Sequence, residues 1–165
     1  MDWRADIIGI VERLRPGSIL GVMPADEPLR AELTRRTLGA DCRFVSAAEL
    51  LHEDFAIARS RLAIVTGVME QLNKRDAGQL IARLRDLHAE VTYATVAIGD
   101  TWPQSISHWR NEELIAYGLR QVRHYTIEGK PLNLYHYDIY DYKLTPDWLN
   151  SRYWANPERW EKERW

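Results

Sequence analysis

A single cysteine, Cys42, in 165 residues excludes an internal disulfide and fits a reducing compartment. Charge of one sign is also scarce. The net charge is −2, so no global field draws the chain to phosphate backbones or anionic lipid, and nucleic acid is not an expected partner. No apolar run approaches the ~18 residues of a membrane span. The opening Met1-Asp2-Trp3-Arg4-Ala5-Asp6 has no apolar centre of the kind a secretory leader needs. Internal repeats and low-complexity segments are missing as well. These absences point to a soluble protein of the cytoplasm that binds no membrane.

What is present suits one domain with an appendage: 45% of residues are apolar and 28% charged, enough to bury a core. The clearest stretch is residues 62–72, LAIVTGVMEQL. Leu62, Ala63, Ile64 and Val65 are too few for a helix and read as a strand buried on both faces. A turn at Thr66-Gly67 follows, and then a helix over 73–88, capped by Asn73, with Asp76 in its first turn. Its apolar stripe is Ala77, Leu80, Ile81, Leu84 and Leu87, with Arg83, Arg85 and Asp86 toward water.

The remaining elements alternate in kind. Trp3, Ile7, Ile8, Val11 and Leu14 share one helical face, and Pro16-Gly17 ends that helix. Ser18–Val22 reads as a strand. Asp26 is the expected cap of a second helix carrying Pro28, Leu29 and Leu33. Residues 42–45 form a strand, and Ser46 with Glu49 forms a capping box. Residues 90–98 are strand, 99–108 loop, and 111–117 a short helix anchored by Leu114, Ile115 and Tyr117. Residues 119–127 and 132–140 make a hairpin around Glu128-Gly129-Lys130-Pro131. The order predicts a three-layer, Rossmann-like α/β domain: a mainly parallel sheet, helices on both faces and a C-terminal antiparallel hairpin.

That succession is similar to the class I S-adenosylmethionine-dependent methyltransferase fold. The resemblance rests on IVERLRPGSILGV at 10–22, on 62–72 where the family has a strand and the loop after it, and on NEELIAYGL at 111–119. It covers residues 5 to 142. The tail text, YKLTPDWLN and WANPERW, resembles a small bacterial family of uncharacterised proteins with the same fold. The domain is then residues 1–143, and 144–165 is a Trp-rich extension. The resemblance implies S-adenosylmethionine as cofactor, held by Gly21, Met23, Asp26, Thr66, Gly67 and Met69.

The sequence also departs from the family. The cofactor turn usually combines an acidic residue with several glycines, because the backbone must approach the ligand closely. Here Gly21 is followed by Met23 and Pro24, and the second strand ends in Ser46 where an acidic residue usually holds the ribose. The N-terminal half is one strand and one helix short.

For chemistry, Glu70, Asp100, His136 and Asp138 are the candidates. Glu70 is equally a carboxylate at a helix start. If Ile127 pairs with Leu132, His136 faces Arg123 and Gln121 faces Asp138. His136 and Asp138 then share a strand face, as a base pair or as ordinary cross-strand polar residues. His108, His124 and His136 have no metal-site spacing. Tyr135, Tyr137, Tyr140 and Tyr142 alternate as packing or as a stacking surface.

The tail carries Trp148, Trp154, Trp160 and Trp165, with Glu158, Glu161 and Glu163 among its arginines. It is expected to pack on the domain or on a partner subunit. Two functions follow: a methyltransferase-like protein with a degenerate cofactor turn, or a non-catalytic partner- or RNA-binding module on a relic of that fold.

Overall fold

The computed structural model describes residues 2–37 and 39–141. Among these residues six strands form one sheet in the order β2-β1-β3-β4-β6-β5. They are β1 (Ser18–Val22), β2 (Asp41–Val45), β3 (Ser60–Val65), β4 (Ala89–Ala97), β5 (Arg120–Ile127) and β6 (Lys130–Asp138). The first four run parallel, and β6 and β5 complete the sheet antiparallel. The expected Rossmann-like architecture holds. Because β1 pairs with β2 on one side and β3 on the other, the connections reverse direction there. In open α/β sheets that is where a crevice opens beyond the carboxyl ends of the strands.

Among the described residues five helices cover the two faces: α1 (Trp3–Leu14), α2 (Leu29–Arg36), α3 (Ala47–Leu51), α4 (Lys74–Arg83) and α5 (Asn111–Ala116). The pleat divides the buried strand residues between two cores. Ile19, Leu62, Ile64 and Leu134 pack under α1 and α2, with Trp3, Ile7, Leu29 and Leu33. Leu20, Val22, Ala63, Val65 and Val96 pack on the other face against Leu50, Leu80 and Leu114. Strand 62–65 is therefore buried on both sides, as its continuous apolar run requires. Among the described residues, no helix is long and apolar enough to cross a membrane.

Several expectations need correction. Asp26 is not the cap of α2. The Glu27 carboxylate accepts from the Leu29 amide at 3.2 Å and pairs with Arg4 Nε at 2.6 Å, so the ion pair to α1 fixes this corner. Leu87 is exposed instead of buried. After Arg83 the helix widens into a π-turn, Leu84–His88, which swings Leu84 and His88 inward and Leu87 out. Arg83 is partly buried, its Nε without a partner among the described residues. Leu14 and Ile115 also lie exposed at helix ends.

The hairpin register shifts by two. Glu128 and Gly129, at φ 51° and 79°, form a two-residue turn that pairs Ile127 with Lys130. A bulge at Val122 then sets His136 opposite Arg120 and Gln121 opposite Tyr135. The capping box at Ser46 is present: the Glu49 amide donates to Ser46 Oγ at 3.2 Å, and the Ser46 amide donates to Glu49 Oε2 at 2.7 Å. The tail 144–165 lies outside the described residues.

Candidate functional site

At the reversal point β1 runs into Met23-Pro24 and β3 into Thr66-Gly67. The Thr66 amide donates to the Val22 carbonyl at 3.1 Å, which laces the two strand ends together. Gly67 takes φ 63°, a conformation that disfavours side chains, and a Cβ there would lie 3.6 Å from the Pro24 ring. A 3₁₀ turn, Met69–Gln71, then leads toward α4. Of the residues named for the cofactor, Gly21, Met23, Thr66 and Gly67 therefore lie together where β1 and β3 end, and Met69 follows in the 3₁₀ turn, packed in the core on the α4 side. Asp26 lies exposed in the turn after β1.

Next to this point, on the face of β1 that α2 covers, the protein's own side chains are tightly packed. A Cβ on Gly21 would sit 2.4 Å from Phe44 Cδ1 and 3.2 Å from Met23 Cε. The glycine is thus needed so that Phe44, from β2, can lie across β1. Arg30 from α2 stacks on that ring at 4.8 Å from its centroid. Met23, Thr66, Val68 and Met69 are all buried. At the end of β2 the Ser46 amide and hydroxyl both donate to Glu49, so that corner is spent on capping α3. The space beside Gly21 is thus filled by Phe44 and Met23, and β2 ends in Val45-Ser46 with no carboxylate there for a ribose. Phe44 escapes a reading of the sequence because its target, Gly21, is fixed only by the parallel register between β1 and β2.

A second layer closes over the 3₁₀ turn. Residues 99–110 form a strap whose Ile106 and Ser107 amides donate to the Glu70 carbonyl at 2.8 and 3.1 Å. Ser107 Oγ and Trp109 Nε1 donate to the Met69 carbonyl at 3.1 and 3.2 Å. Ser107 and Trp109 are not legible as part of this region, since the partner their side chains share is a main-chain oxygen.

Two polar groups near the crevice stay unpartnered among the described residues: the buried Thr66 Oγ1 and Glu70 Oε2. Burial pushes the Glu70 carboxyl above its usual range, against a smaller opposing pull from its own amide and that of Ala97. Asp100 is exposed on the strap just past β4. His136 and Asp138 lie toward the other end of the sheet, where β6 pairs with Tyr93 and Val91. Asp138 accepts from the Tyr140 amide at 2.8 Å, and the His136 ring packs on Tyr93 with centroids 4.6 Å apart. Burial, then Arg120, hold the imidazole below its ordinary value, and the Asp138 carboxylate opposes them less strongly. The four acid–base candidates are not gathered at one site. Among the described residues no group of three or more His, Cys, Asp or Glu could hold a metal ion.

Methyltransferases are among the solved structures that share this fold. The N-methyltransferase NodS from Bradyrhizobium japonicum WM9, in complex with S-adenosyl-L-homocysteine, superposes with a TM-score of 0.59 at 14% identity, over 81% of this chain and 86% of that one. The 1,6-didemethyltoxoflavin-N1-methyltransferase of Burkholderia thailandensis gives 0.58 at 16% identity, over 81% and 76%. The methyltransferase domain of bacterial CtHen1-C gives 0.58 at 10%, over 82% and 96%. At these identities the likeness is one of fold. No curated protein matches the sequence. From residue 1 to residue 165 the sequence matches a family of unknown function, DUF6231, and the chain belongs to that family, here with the fold of the class I S-adenosylmethionine-dependent methyltransferases.

Proposed function

We propose that this protein is a non-catalytic binding module on the methyltransferase fold, one that has closed the cofactor crevice with its own side chains. The observation that carries this reading is the space beside Gly21. Where the resemblance implies backbone open to a ligand, the Phe44 ring comes within 2.4 Å of a Cβ position and Met23 within 3.2 Å. The capping box at Ser46 supports it, since no free acidic group is left at the end of β2 for a ribose. With a net charge of −2, recognition of a protein surface is favoured over recognition of phosphates.

The test is calorimetric titration of the full chain with S-adenosylmethionine and S-adenosylhomocysteine. No saturable heat is expected up to millimolar ligand. A one-to-one isotherm with a Kd below about 100 µM, roughly −5.5 kcal/mol, would overturn the reading.

A specific observation favours a second reading, in which the chain binds S-adenosylmethionine through a rearranged turn and acts as a transferase. Glu70, with its raised carboxyl pKa and unpartnered oxygen, would there accept a proton or a donor from the substrate. The same titration separates the two, and a Glu70→Gln variant that binds cofactor yet fails to transfer would establish the second.

A further inference from the structure

The sheet has two edges, β5 on one side and β2 on the other. The first carries the devices that keep strands from adding to one another: a bulge breaks its register at Val122, and the exposed Arg120 and Arg123 stand on it. The second has neither. β2 runs beside β1 without a break, from Asp41 next to Ser18 to Val45 next to Val22, and it contains no proline and no lysine. Among the described residues no strand pairs with its outer side.

One hydrogen bond settles which main-chain groups point outward. The Asp41 amide donates to the Gly17 carbonyl at 3.0 Å, so Asp41 turns its main chain toward β1. Successive residues of a parallel strand turn to alternate sides, so Arg43 and Val45 also face β1, and the amides and carbonyls of Cys42 and Phe44 face away from the sheet. The Asp41 and Arg43 side chains lie exposed on one face of the strand, paired with each other at 2.7 Å. Cys42 and Phe44 lie on the other, against the core that α1 and α2 cover.

We infer that β2 is a self-association edge, through which two copies of this chain pair antiparallel with the two-fold axis at Cys42. In that register Cys42 faces its counterpart and exchanges both main-chain hydrogen bonds with it, as its outward groups allow. Asp41 of each copy stands opposite Arg43 of the other, so the two intrachain pairs close into a ring of four alternating charges. The other registers are poorer. An axis at Asp41 or at Arg43 sets like charges face to face, and an axis at Phe44 carries Asp41 opposite the start of α3 with no counter-charge. Charge complementarity thus selects both the occupant and the register. Five residues a side make a small contact, so the dimer is weak, with a Kd of about 10–100 µM. This inference does not depend on whether the crevice binds a cofactor.

Sedimentation velocity of the full chain from about 2 to 300 µM tests it, with Asp41→Arg and Arg43→Asp as separate variants. Both side chains are exposed, and an unchanged far-ultraviolet circular dichroism spectrum verifies that each variant folds. The unsubstituted chain should pass from monomer toward dimer across that range. The two-fold axis counts each substitution twice, so either variant alone should dimerise at least tenfold more weakly. Mixed in equal amounts, the two variants should regain the unsubstituted affinity or exceed it, because every charge again meets its opposite across the axis. An unsubstituted chain that stays monomeric throughout would overturn the proposal and leave the β2 edge to a strand of another protein. A dimer that neither variant weakens would overturn it too, as would weakened variants that fail to recover on mixing.

Discussion

Replacing His88 with leucine should make the protein more stable, and increasingly so as the solution is acidified. His88 ends the π-turn after α4 and is only 3% exposed, its ring edge-on to Phe55 at 5.4 Å between centroids. Neither ring nitrogen has a partner among the described residues. Burial, and then the Arg83 and Arg59 charges, lower its pKa from the ordinary 6.5.

The folded protein therefore holds fewer protons than the unfolded chain once the pH falls below about 6.5. Stability associated with neutral His88 is fully present above that pH and is lost on acidification toward the depressed folded value. In that interval the loss approaches about 1.4 kcal/mol per pH unit for one proton. A leucine of similar volume also removes two unsatisfied ring nitrogens, worth about 1–3 kcal/mol when buried, offset in part by imperfect packing. The net gain expected at pH 7.5 is about 1 kcal/mol. Urea unfolding of both proteins between pH 7.5 and 5 measures this. The difference in unfolding free energy should widen steadily as the pH falls below about 6.5. His136 shifts in the same direction but is common to both proteins and cancels. Parallel pH curves for the two proteins would refute the reasoning.

The other predictions are more local. Gly21→Ala should destabilise by about 1–3 kcal/mol by overpacking against Phe44, and much less in a Phe44→Leu background; additive losses in the double-mutant cycle would contradict the packing described. Glu70→Gln should stabilise by about 1 kcal/mol at pH 7. The raised carboxyl pKa means that stability is full below about 4.5 and declines as pH climbs through the folded value, so chemical denaturation at pH 4 should show little difference. Ser46→Ala should cost about 1 kcal/mol through loss of the capping box, with amide exchange quickening first in α3. Trp109→Phe leaves the Met69 carbonyl with one donor fewer and should cost about 1–3 kcal/mol, visible as a lower thermal midpoint.

Most of the fold is legible because it is written in local terms. The run at Leu62–Val65, the cap at Asn73 and the box at Ser46 with Glu49 each need only neighbouring residues to be understood. What escapes depends on distances along the chain that periodicity does not encode. A regular helix predicts Leu87 inside, but the wider π-turn turns it out. The hairpin register follows from two positive φ angles that a four-residue loop would not have needed. The crevice shows the same division. Met23 and Pro24 announce an altered turn, while its closure by Phe44 follows only once β2 is laid beside β1. Glu70 is visible as a carboxyl near a ligand-binding position, yet its burial beside β4 depends on tertiary packing.

Asp6, on the first helix, accepts from Arg123 at 2.8 Å and from the Tyr125 hydroxyl at 2.7 Å, contacts that span 117 and 119 residues of sequence. Such a clasp has a consequence for the order of assembly. During synthesis at 5–20 residues per second, the helix that emerges first waits roughly 6–24 s for the strand it must hold. Meanwhile Trp3, Ile7 and Val11 have only part of their final surroundings. The long loop that this contact closes places it among the last to form, since its entropy is lost before its bonds are gained. Asp6→Asn should therefore speed unfolding more than it slows folding, leaving a protein that assembles on time but comes apart sooner.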